Sequence, residues 1–182
     1  MDAYLAAKLG TAAITNSKAD TTTLTSANIL AKWDEYLAAL ADARVNRDRV
    51  IAYIIPSVYK LLKEAAGITR FIDAGTGIRN VDRNVGKLDG VSIVEIPADL
   101  MKTAYTFAEG WVAASGAGQI NILFVDPDAI VAPIVYDTAM ISAPNAQSKG
   151  KYLYYERYYY DVFVLANRKA GVYINYTAAN PQ

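Results

Sequence analysis

The stretch Lys151-Tyr-Leu-Tyr-Tyr-Glu-Arg-Tyr-Tyr-Tyr-Asp-Val-Phe-Val-Leu165 contains neither glycine nor proline and, with its continuation to Tyr176, holds eight of the chain's 14 tyrosines. Aromatic and β-branched residues fit a pleated surface, so the stretch reads as one strand. Fifteen residues at ~3.3 Å each extend roughly 50 Å. A compact chain of 182 residues has a radius of gyration near ~16 Å, hence a diameter of about 40 Å. A strand as long as the whole body suits an elongated subunit that leans on copies of itself. Tyr152, Tyr154, Tyr158 and Tyr160 share one face; Leu153, Tyr155, Tyr159 and Phe163 share the other. Both faces are aromatic, so both need a cover. Either alternate rings pack into an intrachain core, or the strand is a subunit interface, to which tyrosine brings large area and a polar tip. Glu156 and Arg157 project to opposite faces and are expected to pair with other strands or chains. The candidate interface residues are Tyr152, Tyr154, Glu156, Arg157, Tyr158 and Tyr160.

What the chain lacks narrows its chemistry. It has no histidine and no cysteine, which removes Ser-His-Asp and Cys-His pairs, a histidine general base and a Cys/His zinc site. Carboxylate, lysine, tyrosine or Ser/Lys chemistry remains, and the reading is that the protein is not an enzyme and holds no cofactor or metal. Basic and acidic residues balance at 18 each with no basic stripe, so no dedicated nucleic-acid site is expected. The longest apolar run, Ala129 to Tyr136, is far short of the ~20 residues of a spanning helix, so no membrane partner is expected. The amino terminus reads as no secretory leader, which places the chain in a cytoplasm.

Along the chain, residues 2–9 read as the end of a helix stopped at Gly10, followed by a Thr/Ser-rich linker to Thr23. Thr25 is placed as an N-cap, with Leu24 and Ile29 as a hydrophobic staple. Ile29, Leu30, Trp33, Tyr36, Leu37 and Leu40 then recur at helical spacing. Arg49–Ile55 reads as a buried strand and Pro56-Ser57 as a helix start, with Gly67 as its stop. A polar loop runs from Asp73 to Gly90. Strands follow at 91–96, 119–125 and 134–141, with a short helix over 98–105 and a loop over 108–118. Asn167–Gly171 is read as a hairpin loop between the tyrosine strand and a returning strand, 172–177. Alternating β and α followed by consecutive strands makes the fold class α+β.

Three motifs invite chemistry, and each has a plainer reading. Gly75-Thr76-Gly77 in the 73–90 loop lacks the third glycine of a dinucleotide fingerprint, because Ile78 follows, and no phosphate-loop signature occurs. Asp126-Pro127-Asp128 could hold a metal, but carboxylates at such a turn more often cap a helix. Ser57-Val-Tyr-Lys60 matches Ser-x-x-Lys without the companion motifs that give it meaning; Ser148-Lys149 is a second such pair.

Four segments, in order, carry a resemblance. They are Ile54-Ile-Pro-Ser-Val-Tyr-Lys-Leu-Leu-Lys63, Val85-Gly-Lys-Leu-Asp-Gly-Val-Ser-Ile-Val-Glu-Ile-Pro97, Ile120-Asn-Ile-Leu-Phe-Val-Asp-Pro-Asp-Ala129, and Gly150–Leu165 with Gly171–Ile174. Together, over roughly residues 2–177, they resemble the carboxy-terminal part of tailed-bacteriophage and prophage major capsid proteins of the HK97-like fold. The resemblance implies a mixed central sheet flanked by helices, the axial domain, plus part of an elongated peripheral-domain sheet. Residues 1–23 would be the end of the spine helix and a linker, and 24–133 the axial domain. Residues 134–160 would be peripheral-domain strands, and 161–182 a final hairpin and tail. The amino-terminal arm, extended loop and most of the spine helix have no counterpart here, which implies a truncated coat subunit. The partners implied are copies of the chain itself, as hexamers and pentamers in the full-length protein, with a scaffolding or portal protein besides. The place implied is a virion capsid, made in a bacterial cytoplasm. An encapsulin-like compartment shell shares the fold and stays open as an alternative, as does a small nucleotide-dependent enzyme using the 73–90 loop.

Overall fold

The computed structural model of the protein describes residues 2–65, 71–73, 80–82, 84–108 and 110–178, with the backbone alone at 71–73, 80–82, 136–138 and 158. The first half contains α1 (Ala3–Thr15), β1 (Ala19–Asp20), α2 (Ile29–Asp42), β2 (Ile51–Ile54), α3 (Pro56–Glu64), β3 (Phe71–Asp73), β4 (Asn80–Asp82) and β5 (Lys87–Leu88). It continues with β6 (Val91–Glu95), β7 (Tyr105–Thr106), β8 (Val112–Ala113), β9 (Gln119–Val125) and β10 (Ile130–Val131). The last third holds β11 (Ile134–Ser142), β12 (Leu153–Tyr160), β13 (Phe163–Val164) and β14 (Val172–Thr177). The class is α+β. A mixed six-stranded sheet has the order β1-β14-β9-β2-β6-β5; its β1–β14 and β2–β6 pairs are parallel and the other three antiparallel.

β9 is the spine of the core. Ile122, Leu123, Phe124 and Val125 are all buried, and successive side chains point to opposite faces, so this strand is covered on both. The apolar stripe of α2 supplies much of that cover. Trp33 and Tyr36 meet Phe124 edge-on, with ring centroids 4.9 and 5.9 Å away. The α2 entrance departs from the expected Thr25 N-cap: the N-cap is Asn28, and Thr25 instead opens the turn that precedes the helix. Thr25 Oγ1 accepts from the Asn28 amide at 3.3 Å, and Asn28 Oδ1 accepts from the Thr25 amide at 2.7 Å. This reciprocal pair closes the turn that leads into α2, and Leu24 and Ile29 are buried on either side of it.

A polar clasp ties β1, α2 and β14 together. Asp20 Oδ2 accepts the Tyr36 hydroxyl at 2.6 Å, while its Oδ1 accepts the Thr22 amide and hydroxyl at 3.0 and 2.8 Å. Buried Asn175 donates to Tyr36 Oη and to the Thr22 carbonyl, both at 3.0 Å. Burial works against the Asp20 charge, but the hydrogen bonds from Tyr36 and Thr22 and the charge of Lys32 outweigh it. They hold its pKa at about 2, below the ordinary 3.8. Burial, and then the same carboxylate, push the Tyr36 hydroxyl up, so it stays a donor.

Several expectations are corrected. Gly10 does not stop α1, which runs on to Thr15. The glycine lets the helix lie against the sheet: a Cβ there would stand 2.8 Å from Ile120 Cδ1. The linker after it therefore begins later and contains β1. The helix over 98–105 is only a 3₁₀ turn, Ala98–Leu100, and the loop over 108–118 contributes β8, which pairs with β7. The 73–90 segment includes β4 and β5; residues 74–79, with the Gly75-Thr76-Gly77 motif, lie outside the described residues, as does Gly67. The final hairpin is not formed. Ala166–Gly171 is 3₁₀, β13 pairs with β10, and β14 pairs with β9 and β1.

The fifteen-residue strand also breaks. β12 ends at Tyr160, and the chain turns inward at Val162, which is buried. Asp161 makes the turn. Its Oδ1 accepts the Val162 amide and the Tyr4 hydroxyl, each at 2.7 Å, and lies 3.5 Å from Lys8 Nζ. The Tyr4 hydroxyl foremost, then the Val162 amide, lower the Asp161 pKa.

Candidate interaction surface

β11 and β12 form a two-stranded antiparallel ribbon separate from the six-stranded sheet. Its register runs from Ile134 opposite Tyr160 to Ser142 opposite Leu153, with a bulge between Tyr136 and Thr138. The connecting loop is ordered by a turn in which Asn145 and Ser148 exchange hydrogen bonds at 3.0 and 2.8 Å. Lys149 and Gly150 close the turn at φ 50° and 74°.

Directly opposed residues share a face, so the register sorts the ribbon. One face, here face A, carries Ile134, Ile141, Tyr154, Glu156 and Tyr160, with Tyr152 just beyond the strand end. The other, face B, carries Val135, Met140, Leu153, Tyr155, Arg157 and Tyr159. The large apolar side chains of both faces are exposed, from 42% for Tyr160 to 75% for Tyr152. Between core and surface, the two alternatives left by the residues, the tyrosine strand lies on the surface. The reason is topological: β12 finds its hydrogen-bond partner in β11, and among the described residues the large side chains of both faces stay exposed.

The predicted interface residues are thus brought onto one ribbon but not onto one face. Tyr152, Tyr154, Glu156 and Tyr160 lie on face A and Arg157 on face B. Tyr158 pairs with Tyr136, and only its backbone is described. Within the chain, Tyr154 donates to Glu156 Oε2 at 2.8 Å, and the Arg157 guanidinium sits 5.5 Å from the Tyr159 ring centroid.

Face A continues beyond the ribbon onto aromatics the sequence reading did not single out. Tyr160 meets Tyr4 of α1 at 5.6 Å, Tyr4 meets Phe107 at 5.9 Å, and Tyr105 bridges Phe107 to Trp111, each contact at 6.0 Å. A shallow groove lies along Tyr4, Ala7, Tyr105, Phe107 and Tyr160. The signal was Phe107 and Trp111, two large aromatics within one short Gly-containing stretch.

The other motifs have structural partners. Asp126 accepts the Asp128 amide at 3.1 Å and so caps the turn Pro127–Ala129. Asp128 pairs with Arg49 and, at 3.4 Å, with Arg168. Lys60 lies 3.9 Å from Glu64 on α3. Among the described residues no helix is long and apolar enough to cross a membrane. No family model matches the chain, and no curated protein matches it either.

Proposed function

We propose that this protein is a structural, self-associating subunit, belonging with the major capsid proteins of tailed bacteriophages and prophages of the HK97-like fold. In this reading it is the carboxy-terminal portion of such a subunit. It works in a virion shell made in a bacterial cytoplasm, through contacts with its own copies and not through catalysis. One observation carries the proposal: the β11–β12 ribbon exposes apolar and aromatic side chains on both faces. An isolated two-stranded hairpin is marginal in water, and contiguous exposed apolar patches of this size mark interaction sites. The ordered segments noted in the sequence and the α+β architecture with a separate ribbon are consistent with it.

Negative-stain electron microscopy of the purified gene product, over a concentration series, is the test. Rings, capsomers or shells are the expected result; particles that stay monomeric at the highest concentration refute the reading. Terminase and portal genes beside the coding sequence separate a phage coat from a compartment shell, which would neighbour a cargo enzyme.

A further inference from the structure

Away from the ribbon, three segments meet around a cleft of about 270 Å³. The end of α2 brings Arg44, the turn after β9 brings Asp126, and the 3₁₀ segment before β14 brings Asn167, Arg168 and Gly171. The volume falls just below the ~300 Å³ at which organic-ligand sites begin, so the cleft suits a small ion better than a nucleotide.

Asp126 is only 6% exposed, yet its carboxylate forms no ion pair among the described residues. The one hydrogen bond to its side chain there comes from the Asp128 amide and ends on Oδ1. Oδ2 is left over. It is not sealed in, because among the described residues the one buried side-chain N or O atom without a partner is Trp33 Nε1. Gly171 keeps the space beside it open, since a Cβ there would stand 3.5 Å from Oδ2. A buried charge ordinarily finds partners for its oxygens, and here a molecule in the cleft is placed to supply one.

Arg44 follows α2 at φ 61°, where its amide bonds to the Ala41 carbonyl and the Val45 amide to the Leu40 carbonyl. This left-handed end position favours glycine; an arginine there accepts backbone strain and lines the cleft. Its side chain has no ion pair or hydrogen bond among the described residues. Arg168 lies 3.4 Å from Asp128, which also pairs with Arg49, so Arg168 can turn to a ligand without leaving Asp128 bare.

The lining therefore carries both signs. Guanidinium groups donate forked, charge-assisted hydrogen bonds to the oxygens of phosphate or sulfate. The carboxylate repels such an anion unless the anion brings its own donor. Sulfate has no proton at neutral pH, and a phosphate monoester, with a second pKa of about 6, has mostly lost its own. Free phosphate keeps at least one. We infer that the cleft is a binding site for inorganic hydrogen phosphate. Its charged oxygens accept from Arg44, Arg168 and the Asn167 amide, and its P–OH donates to Asp126 Oδ2. The site lies apart from the ribbon and holds whether or not copies of the chain associate.

Isothermal titration calorimetry on the full chain at pH 7 and constant ionic strength tests it, with inorganic phosphate, sulfate, glycerol 3-phosphate and free glycine as titrants. Phosphate should bind at least tenfold more tightly than each of the others. Arg44→Gly is the first variant. Glycine suits the left-handed backbone, so circular dichroism should show the fold intact while phosphate affinity falls at least tenfold. Asp126→Asn is the second. Its amide can donate where the carboxylate only accepts, so sulfate should come to bind as well as phosphate. Should that variant fail to fold, the phosphate-to-sulfate ratio of the parent and the loss in Arg44→Gly decide the matter. No heat with phosphate, any other titrant bound as tightly as phosphate, or an affinity unchanged by Arg44→Gly overturns the site.

Discussion

Tyr36→Phe tests the clasp that holds the first strand and second helix onto the sheet. The substitution keeps the ring against Phe124 and Tyr173 and removes only the hydroxyl. That hydroxyl donates to Asp20 at 2.6 Å and accepts from Asn175 at 3.0 Å. A hydrogen bond to a charged group is worth about 1.5–3 kcal/mol, and Asn175 keeps the Thr22 carbonyl, so the expected loss at pH 7 is about 2–3 kcal/mol. For a chain of this length that lowers Tm by roughly 5–10 °C. The pH dependence identifies the cause. The Asp20 pKa falls from 3.8 unfolded to about 2 folded, which amounts to about 2 kcal/mol. Because the folded value is the lower one, this stabilisation is full above about pH 5. It declines as pH falls through 4 and is mostly gone at 2. Removing the hydroxyl raises the folded pKa toward 3.8, so the gap between parent and variant should shrink to about 1 kcal/mol by pH 2, where a neutral hydrogen bond is all that differs. Urea titrations at pH 7, 4, 3 and 2 measure it. A gap that stays constant across that range, or a variant as stable as the parent at pH 7, refutes the account.

Four further outcomes follow from the same geometry. Gly171→Ala should cost about 1–3 kcal/mol by urea titration, because its Cβ would stand 2.7 Å from Ala129 Cβ and 3.1 Å from Asp126 Cβ, neither of which can swing aside. Gly10→Ala should stay within about 1 kcal/mol of the parent, since the Ile120 methyl it meets can rotate and alanine favours the helix. In hydrogen–deuterium exchange the amides of β11 and β12 should exchange faster than those of β9 in dilute protein and gain protection as concentration rises; protection equal to β9 in the monomer would contradict an uncovered ribbon. Asp128→Asn, although it loses both Arg49 and Arg168, should cost under about 1 kcal/mol in thermal melts, because all three groups are partly exposed.

Local chemistry was enough where one segment carried its whole signal. Gln119–Val125 reads as a buried strand because its apolar run is nearly continuous, and the structure places β9 there. Leu24, Thr25 and Ile29 announce a helix near its place because turn-forming bonds are local, although the N-cap falls at Asn28 and not at Thr25. Asp126 declared itself a cap for the same reason. Where distant residues set the outcome, local reading failed. Gly10 looks like a stop until Ile120 stands beside it, and Tyr160-Asp161-Val162 looks like unbroken strand until Tyr4 and Lys8 claim the Asp161 carboxylate. The hairpin at 167–171 looks sound until β10 takes β13 as its partner.

By itself, then, the order of residues determined that tyrosines line both sides of one strand, that Glu156 and Arg157 point oppositely, and that no histidine or cysteine chemistry exists. Those facts follow from composition and the two-residue repeat of a strand. Only the tertiary structure decided that the strand pairs with β11, outside the six-stranded sheet, and that the described side chains of both faces stay exposed. Burial is a property of what packs above a residue, and no local pattern states which layers of the chain will come to lie there.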